Sequence, residues 1–183
     1  MHFLWLDLET TGLDYENDYI LEVSSIITNE KLEEISTFSK VIKYEKEKVW
    51  LKMNEFCRTM HTKNELINEV ENGEELPRVE ELLIGFILEH FNRKDKIFLC
   101  GNSVDFDRTF IKYHMKHLFN LIHYQVLDVT SLQLLFNTMC NKKVFLGKQY
   151  YHRGLPDLRE SIRELKFYLN FIKEGMINGT ILS

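Results

Sequence analysis

Side-chain character alternates along residues 3–9, and this two-residue period predicts a β-strand. The runs 19–28 and 35–42 are apolar and β-branched enough for two more strands, with turns near Asn17–Asp18 and Asn29–Glu30. Val79, Leu82, Leu83, Phe86, Ile87 and Phe91 recur at helical spacing. A short buried strand is predicted at 97–100, then a helix over 104–117 with Ser103 as its N-cap. Another short strand at 126–128 leads to a helix near 130–139. The last helix is predicted from Pro156, with Leu158, Ile162, Leu165, Leu169 and Ile172 on one face. A meander followed by alternating strands and helices predicts an α/β fold, a mixed sheet covered by helices. No repeat or linker-like tract interrupts the chain, so a single domain over 1–183 is expected.

Composition narrows the class. A hydrophobic share of 44% is that of a globular protein and not of a disordered one. There is no run of about 18 apolar residues, so no membrane association is expected. Cys57, Cys100 and Cys140 are odd in number and widely spaced, which predicts free thiols and a reducing, cytoplasmic location; no signal peptide is visible. A net charge of −5 argues against a protein that grips long nucleic acid by its phosphates. It leaves room for an enzyme whose own carboxylates hold metal ions.

Three segments carry candidate chemistry. In Trp5-Leu6-Asp7-Leu8-Glu9 the two acids project from one face of the strand while the leucines project from the other. Paired carboxylates in apolar surroundings repel each other and resist burial, a conflict that a hard divalent cation resolves. The second segment runs from Cys100 through Gly101 and Asn102 into a helix bearing Asp105 and Asp107, either of which could supply a further ligand. The third is His152-Arg153-Gly154-Leu155-Pro156-Asp157, a histidine ahead of a helix whose first turn carries an acid. Histidine is the side chain suited to take a proton from water near neutrality. Each segment has an ordinary alternative: an exposed strand end, first-turn acids favouring a helix dipole, or a structural histidine. Their coincidence in one chain is what points to a site.

Together these segments resemble a known family. Leu4-Trp5-Leu6-Asp7-Leu8-Glu9-Thr10-Thr11-Gly12-Leu13 is similar to the first motif of the DEDDh exonucleases. Cys100-Gly101-Asn102-Ser103, with Asp107-Arg108-Thr109-Phe110, resembles the second motif in its oligoribonuclease form. The stretch from His152 through Asp157 to Leu165, together with Tyr124 and Leu127-Asp128-Val129-Thr130, completes the match. The resemblance implies an RNase H-like fold and a 3′→5′ exoribonuclease that degrades short RNAs to 5′-mononucleotides by two-metal-ion hydrolysis, with Mg²⁺ or Mn²⁺ as cofactor. It implies Asp7, Glu9, Asp107 and Asp157 as metal ligands, selecting Asp107 over Asp105, and His152 as general base. It further implies that Leu13 wedges against a base, Phe56 stacks on one, and Ser103 meets the 5′ phosphate. Tyr124 is implied to reach in from the second subunit of a homodimer. The family commonly has tryptophan at the position of Phe56, methionine at Thr10, arginine at Gln125 and an acid at Pro156. These departures open the alternative of longer RNA or single-stranded DNA 3′ ends as substrate.

Overall fold

A computed structural model describes residues 2–92, 94–141, 143–145, 147 and 149–177. The alternating first segment is β1, His2–Thr10. Its leucines Leu4, Leu6 and Leu8 enter one core, while Trp5 enters another on the opposite face of the sheet. β2, Ile20–Asn29, runs antiparallel to β1 and places Ser24 opposite Asp7 and Glu22 opposite Glu9. β3, Glu34–Val41, pairs antiparallel with the far side of β2. On the other side of β1 come β4, Leu99–Gly101, and β5, Val126–Asp128, both parallel to it. Among the described residues this is one sheet of order β3-β2-β1-β4-β5, the expected mixed α/β arrangement.

Helices cover both faces. Short helices α1 (Lys46–Lys52), α2 (Glu55–Lys63) and α3 (Leu66–Glu69) follow β3. A separate core of Leu21, Val49, Met53, Cys57, Leu66, Ile67 and Val70 holds them beside the start of β2. No element was predicted here, because segments of four to nine residues show little periodicity. α4, Leu76–Leu88, lies over the leucine face of β1. α7, Val129–Cys140, and α8, Gly154–Ile177, cover the Trp5 face.

Several expectations need correction. The helix predicted over 104–117 is two helices, α5 (Val104–His114) and α6 (Lys116–Leu121), broken at Met115. The buried Glu80 carboxylate accepts from the N–H groups of His117 and Leu118 at 2.8 and 3.0 Å, which gives the second helix its own start. Ser103 is the N-cap residue of α5, as expected, but it sits in the left-handed region (φ 53°) and its side chain makes no capping bond. α8 begins at Gly154, two residues before Pro156. On its inward face Tyr168 is fully buried, whereas Leu169 is exposed. The last six residues of the predicted 1–183 domain lie outside the described residues. Cys57, Cys100 and Cys140 are free thiols. Among the described residues no helix is long and apolar enough to cross a membrane.

Candidate active site

Strand parity builds the first part of the site. Asp7 and Glu9 share a face with Trp5, the face that α8 covers. They lie beyond Trp5, at the C-terminal end of β1. There β4 has already ended: its last partner on β1 is Cys100 opposite Trp5. The N–H of Leu8 is therefore free of the ladder, and the buried Asp107 carboxylate from α5 accepts from it at 2.9 Å. Asp105, in the same turn, is exposed to solvent.

The start of α8 supplies the third part. Gly154 lies so close to Ser24 of β2 that a Cβ there would come 2.2 Å from the serine Cβ. This contact brings the first turn of α8 down beside Asp7 and Glu9. Asp157 follows in that turn and accepts from the N–H of Tyr151 at 2.8 Å. His152 precedes the helix in the left-handed region (φ 53°). Its ring stands perpendicular to that of Phe56, with centroids 6.4 Å apart.

The electrostatics follow from this crowding. Burial, then repulsion from Asp157, Glu22 and Asp107, pushes the Glu9 carboxyl up to about 8, partly offset by the Arg153 guanidinium. Burial likewise raises Asp107 to about 8, against the bond from the Leu8 N–H. Asp7 is held well above the ordinary carboxylate range by desolvation and by Asp107, Glu9 and Asp157 together. Asp157 is raised by burial, while its backbone hydrogen bonds and His152 pull the other way. Four acids that sense one another, with one guanidinium opposing, form a hard-oxygen donor set suited to Mg²⁺ or Mn²⁺. Among the described residues no three side chains form a ready-made metal cage. Mg²⁺ commonly retains waters and binds substrate phosphates as well as a few carboxylates, so such a cage is not required.

Around the acids the chain presents exposed apolar side chains. The loop after β1 is braced by Asp18, whose carboxylate accepts from Thr11 Oγ1 at 2.8 Å and from the Asp14 N–H at 2.9 Å. It carries Leu13, which is 82% exposed. Phe56, on α2, is 68% exposed. The Ser103 N–H donates to Asp128 Oδ1 at 3.0 Å and to Thr130 Oγ1 at 2.9 Å, leaving the serine side chain at the protein surface.

A family model described as Exonuclease matches residues 4–165. The chain is 37% identical over 176 residues to the oligoribonuclease of Haemophilus ducreyi, covering 94% of this chain and 95% of that one. It is 36% identical over 167 residues to the oligoribonuclease of Francisella tularensis subsp. tularensis, covering 91% and 93% of the two chains. This chain belongs to the oligoribonuclease family of exonucleases. Two solved structures of exonuclease I share the fold. One, in its apo form, has a TM-score of 0.66 at 12% identity over 89% of this chain and 40% of its own. The other, from Methylocaldum szegediense, has a TM-score of 0.60 at 16% identity over 88% and 39%. The chain thus spans about two fifths of those proteins, and the shared part is the RNase H-like exonuclease fold.

Within this family fold, Asp7, Glu9, Asp107 and Asp157 come together around the end of β1, His152 lies beside Asp157, and Phe56 meets the His152 ring, while Leu13 sits in the loop that follows β1. Tyr124 does not join them. It precedes β5, whose Val126 is level with Leu99 and hence with Leu4, three residues before Asp7. Two strands across and roughly 15 Å back along the strand direction, it cannot reach the acids of its own chain. Sequence reasoning missed Glu22, Arg153, Glu69 and His61. The buried His61 donates from Nε2 to the Thr10 carbonyl at 2.9 Å, and burial holds its pKa below the ordinary value. Glu22 did carry a signal: a glutamate inside an otherwise apolar strand must find a partner.

Proposed function

We propose that this protein is a divalent-metal-dependent 3′→5′ exoribonuclease that shortens small RNAs by releasing 5′-mononucleotides. The observation carrying this reading is the convergence of Asp7, Glu9, Asp107 and Asp157, from three separate segments, on one end of β1 with His152 beside them. Two ions, Mg²⁺ or Mn²⁺, would be held by Asp7 with Glu9 and Asp157, and by Asp7 with Asp107. Bound there, such ions supply Lewis-acid stabilisation of the attacking and leaving oxygens during in-line displacement at phosphorus. His152 takes the proton of the attacking water on a ring nitrogen. The leaving group is the 3′-oxygen of the penultimate ribose, so the product keeps its 5′ phosphate. Phe56 and Leu13 receive the terminal bases; stacking on an aromatic contributes about 1–3 kcal/mol and accepts any base. Ser103 faces the 5′ phosphate.

Tyr124 enters this scheme from a second copy of the chain. Supporting that arrangement, Tyr124 is 74% exposed, β5 is the last strand of the sheet among the described residues, and α7, which follows it, leaves Leu134, Leu135 and Met139 exposed. The free thiols favour a reducing, intracellular setting. A second reading, action on longer RNA or single-stranded DNA, draws on Gln125, which is neutral where the family commonly has arginine. A missing charge-assisted bond to the 5′ phosphate is worth about 1.5–3 kcal/mol.

The deciding experiment is hydrolysis of a 5′-labelled RNA dinucleotide and a matched heptamer in Mg²⁺ or EDTA, with wild type and Asp7→Ala. Metal-dependent mononucleotide release that favours the dinucleotide, and drops by about 10³-fold or more in the variant, is expected. Preference for the heptamer would select the second reading. No release from either substrate by folded protein would overturn the exoribonuclease reading and leave single-stranded DNA 3′ ends as the substrate to test.

A further inference from the structure

We infer that Arg153 is a positioning residue for the proposed reaction, a clamp that fixes the His152 turn to the helical segment following Phe56. The inference rests on the exonuclease reading above, but its geometry is independent of any metal. The guanidinium lies between two carboxylates from different elements. Nε and Nη2 donate to Glu22 of β2 at 3.1 and 3.2 Å, while Nη1 and Nη2 donate to Glu69 at the end of α3 at 2.7 and 3.1 Å. Nη1 also donates to the Asn64 carbonyl at 3.3 Å. All five guanidinium N–H groups are thereby used. The same Glu22 accepts from the Gly154 N–H at 3.2 Å, which ties the first residue of α8 to the strand as well.

The residue gripped most directly by this arrangement is His152. Its left-handed backbone is uncommon for a non-glycine residue and persists only where the surroundings dictate it. Here they do so from both sides. The Asn64 side-chain amide donates to the His152 carbonyl, and Arg153, next in the chain, is held by Glu22 and Glu69. Asn64 ends α2, the helix that carries Phe56, whose ring meets the His152 ring edge-on. The base and the stacking aromatic therefore share one frame, tied by the Asn64 amide and the Arg153 guanidinium.

Arg153 also has an electrostatic effect, since it partly offsets the repulsion on Glu9. Two variants separate the roles. Arg153→Lys keeps the charge but cannot make a five-bond planar fork. Glu69→Ala leaves Arg153 and every other acid in place; Glu69 is partly exposed and is not one of the main influences on Asp7, Glu9 or Asp157. With both variants shown to be folded by thermal melting, three measurements are made. They are kcat and KM on an RNA dinucleotide with Mg²⁺, dinucleotide affinity in EDTA, and the ring NMR resonances of His152 in the metal-free protein. The expected result in both variants is kcat lower by about 100-fold, the scale of a 1 Å misplacement, with affinity retained and the His152 resonances displaced. Wild-type kcat in Glu69→Ala, or unmoved His152 resonances in both variants, would overturn the clamp. Failure of the wild type to release mononucleotides would instead overturn the exonuclease reading, and the metal-free resonances would still decide the geometry.

Discussion

Asp7, Glu9 and Asp107 are carboxyls held where carboxylates are costly, and that cost should be measurable without substrate. Glu9 and Asp107 stand at about 8, against ordinary values of 4.5 and 3.8. Between those limits the folded chain binds more protons than the unfolded chain. The stability of the metal-free protein should therefore fall as pH rises from about 4 to about 8. Calorimetric melting in EDTA at pH 5 and pH 8 tests this, and a melting temperature at pH 8 equal to that at pH 5 would refute it. Excess Mg²⁺ should restore stability mainly at the higher pH, because ligand carboxyls must be deprotonated to bind it. At this scale the sequence was partly legible. The two-residue period put Asp7 and Glu9 on one face without ambiguity. The choice between Asp105 and Asp107 needed a family resemblance, because both fall in one helical turn and local spacing does not say which side meets the sheet.

Among the elements, the seating of α8 matters most for the site. Gly154 leaves no room for a side chain against Ser24, and the same short turn carries His152, Arg153 and Asp157. Gly154→Ala should displace the start of the helix. The expected outcome is a loss of about 1–3 kcal/mol in chemical denaturation and a drop in kcat on the order of 100-fold. Adding Ser24→Gly removes the opposing Cβ and should recover most of the turnover. Full activity in Gly154→Ala alone would show that the turn does not depend on this contact. Helical periodicity revealed that a helix lies here and most of its buried face, but placed its start at Pro156. The true start depends on Glu22 and Ser24, more than a hundred residues earlier in the chain. The break between α5 and α6 was hidden for a similar reason: Glu80, on α4, supplies it.

At the scale of the whole molecule, the outer side of α7 presents Leu134, Leu135 and Met139 as exposed apolar side chains, close in sequence to β5, the last strand of the sheet among the described residues. In the proposed dimer it is covered by a second copy, which also carries Tyr124 toward the neighbouring acids. Replacing Leu135 and Met139 by glutamate should yield a monomer in sedimentation velocity at micromolar concentration, with dinucleotide turnover reduced at least as much as by Tyr124→Ala. A wild-type chain that sediments as a monomer, or a monomeric variant with full turnover, would remove Tyr124 from the site. The sequence by itself determined the five strands and the longer helices, the parity of the leucines and acids of β1, and the segments that carry the proposed chemistry. These rest on periodicity and residue character, which act over a few neighbouring positions. Only the tertiary structure decided that β4 stops short so that Asp107 meets the freed Leu8 N–H, that Glu22 and Glu69 converge on Arg153, and that Tyr124 lies remote from the acids of its own chain. Those outcomes depend on which distant segments pack together, and burial, pairing and hydrogen-bond demand settle them only once the sheet has formed.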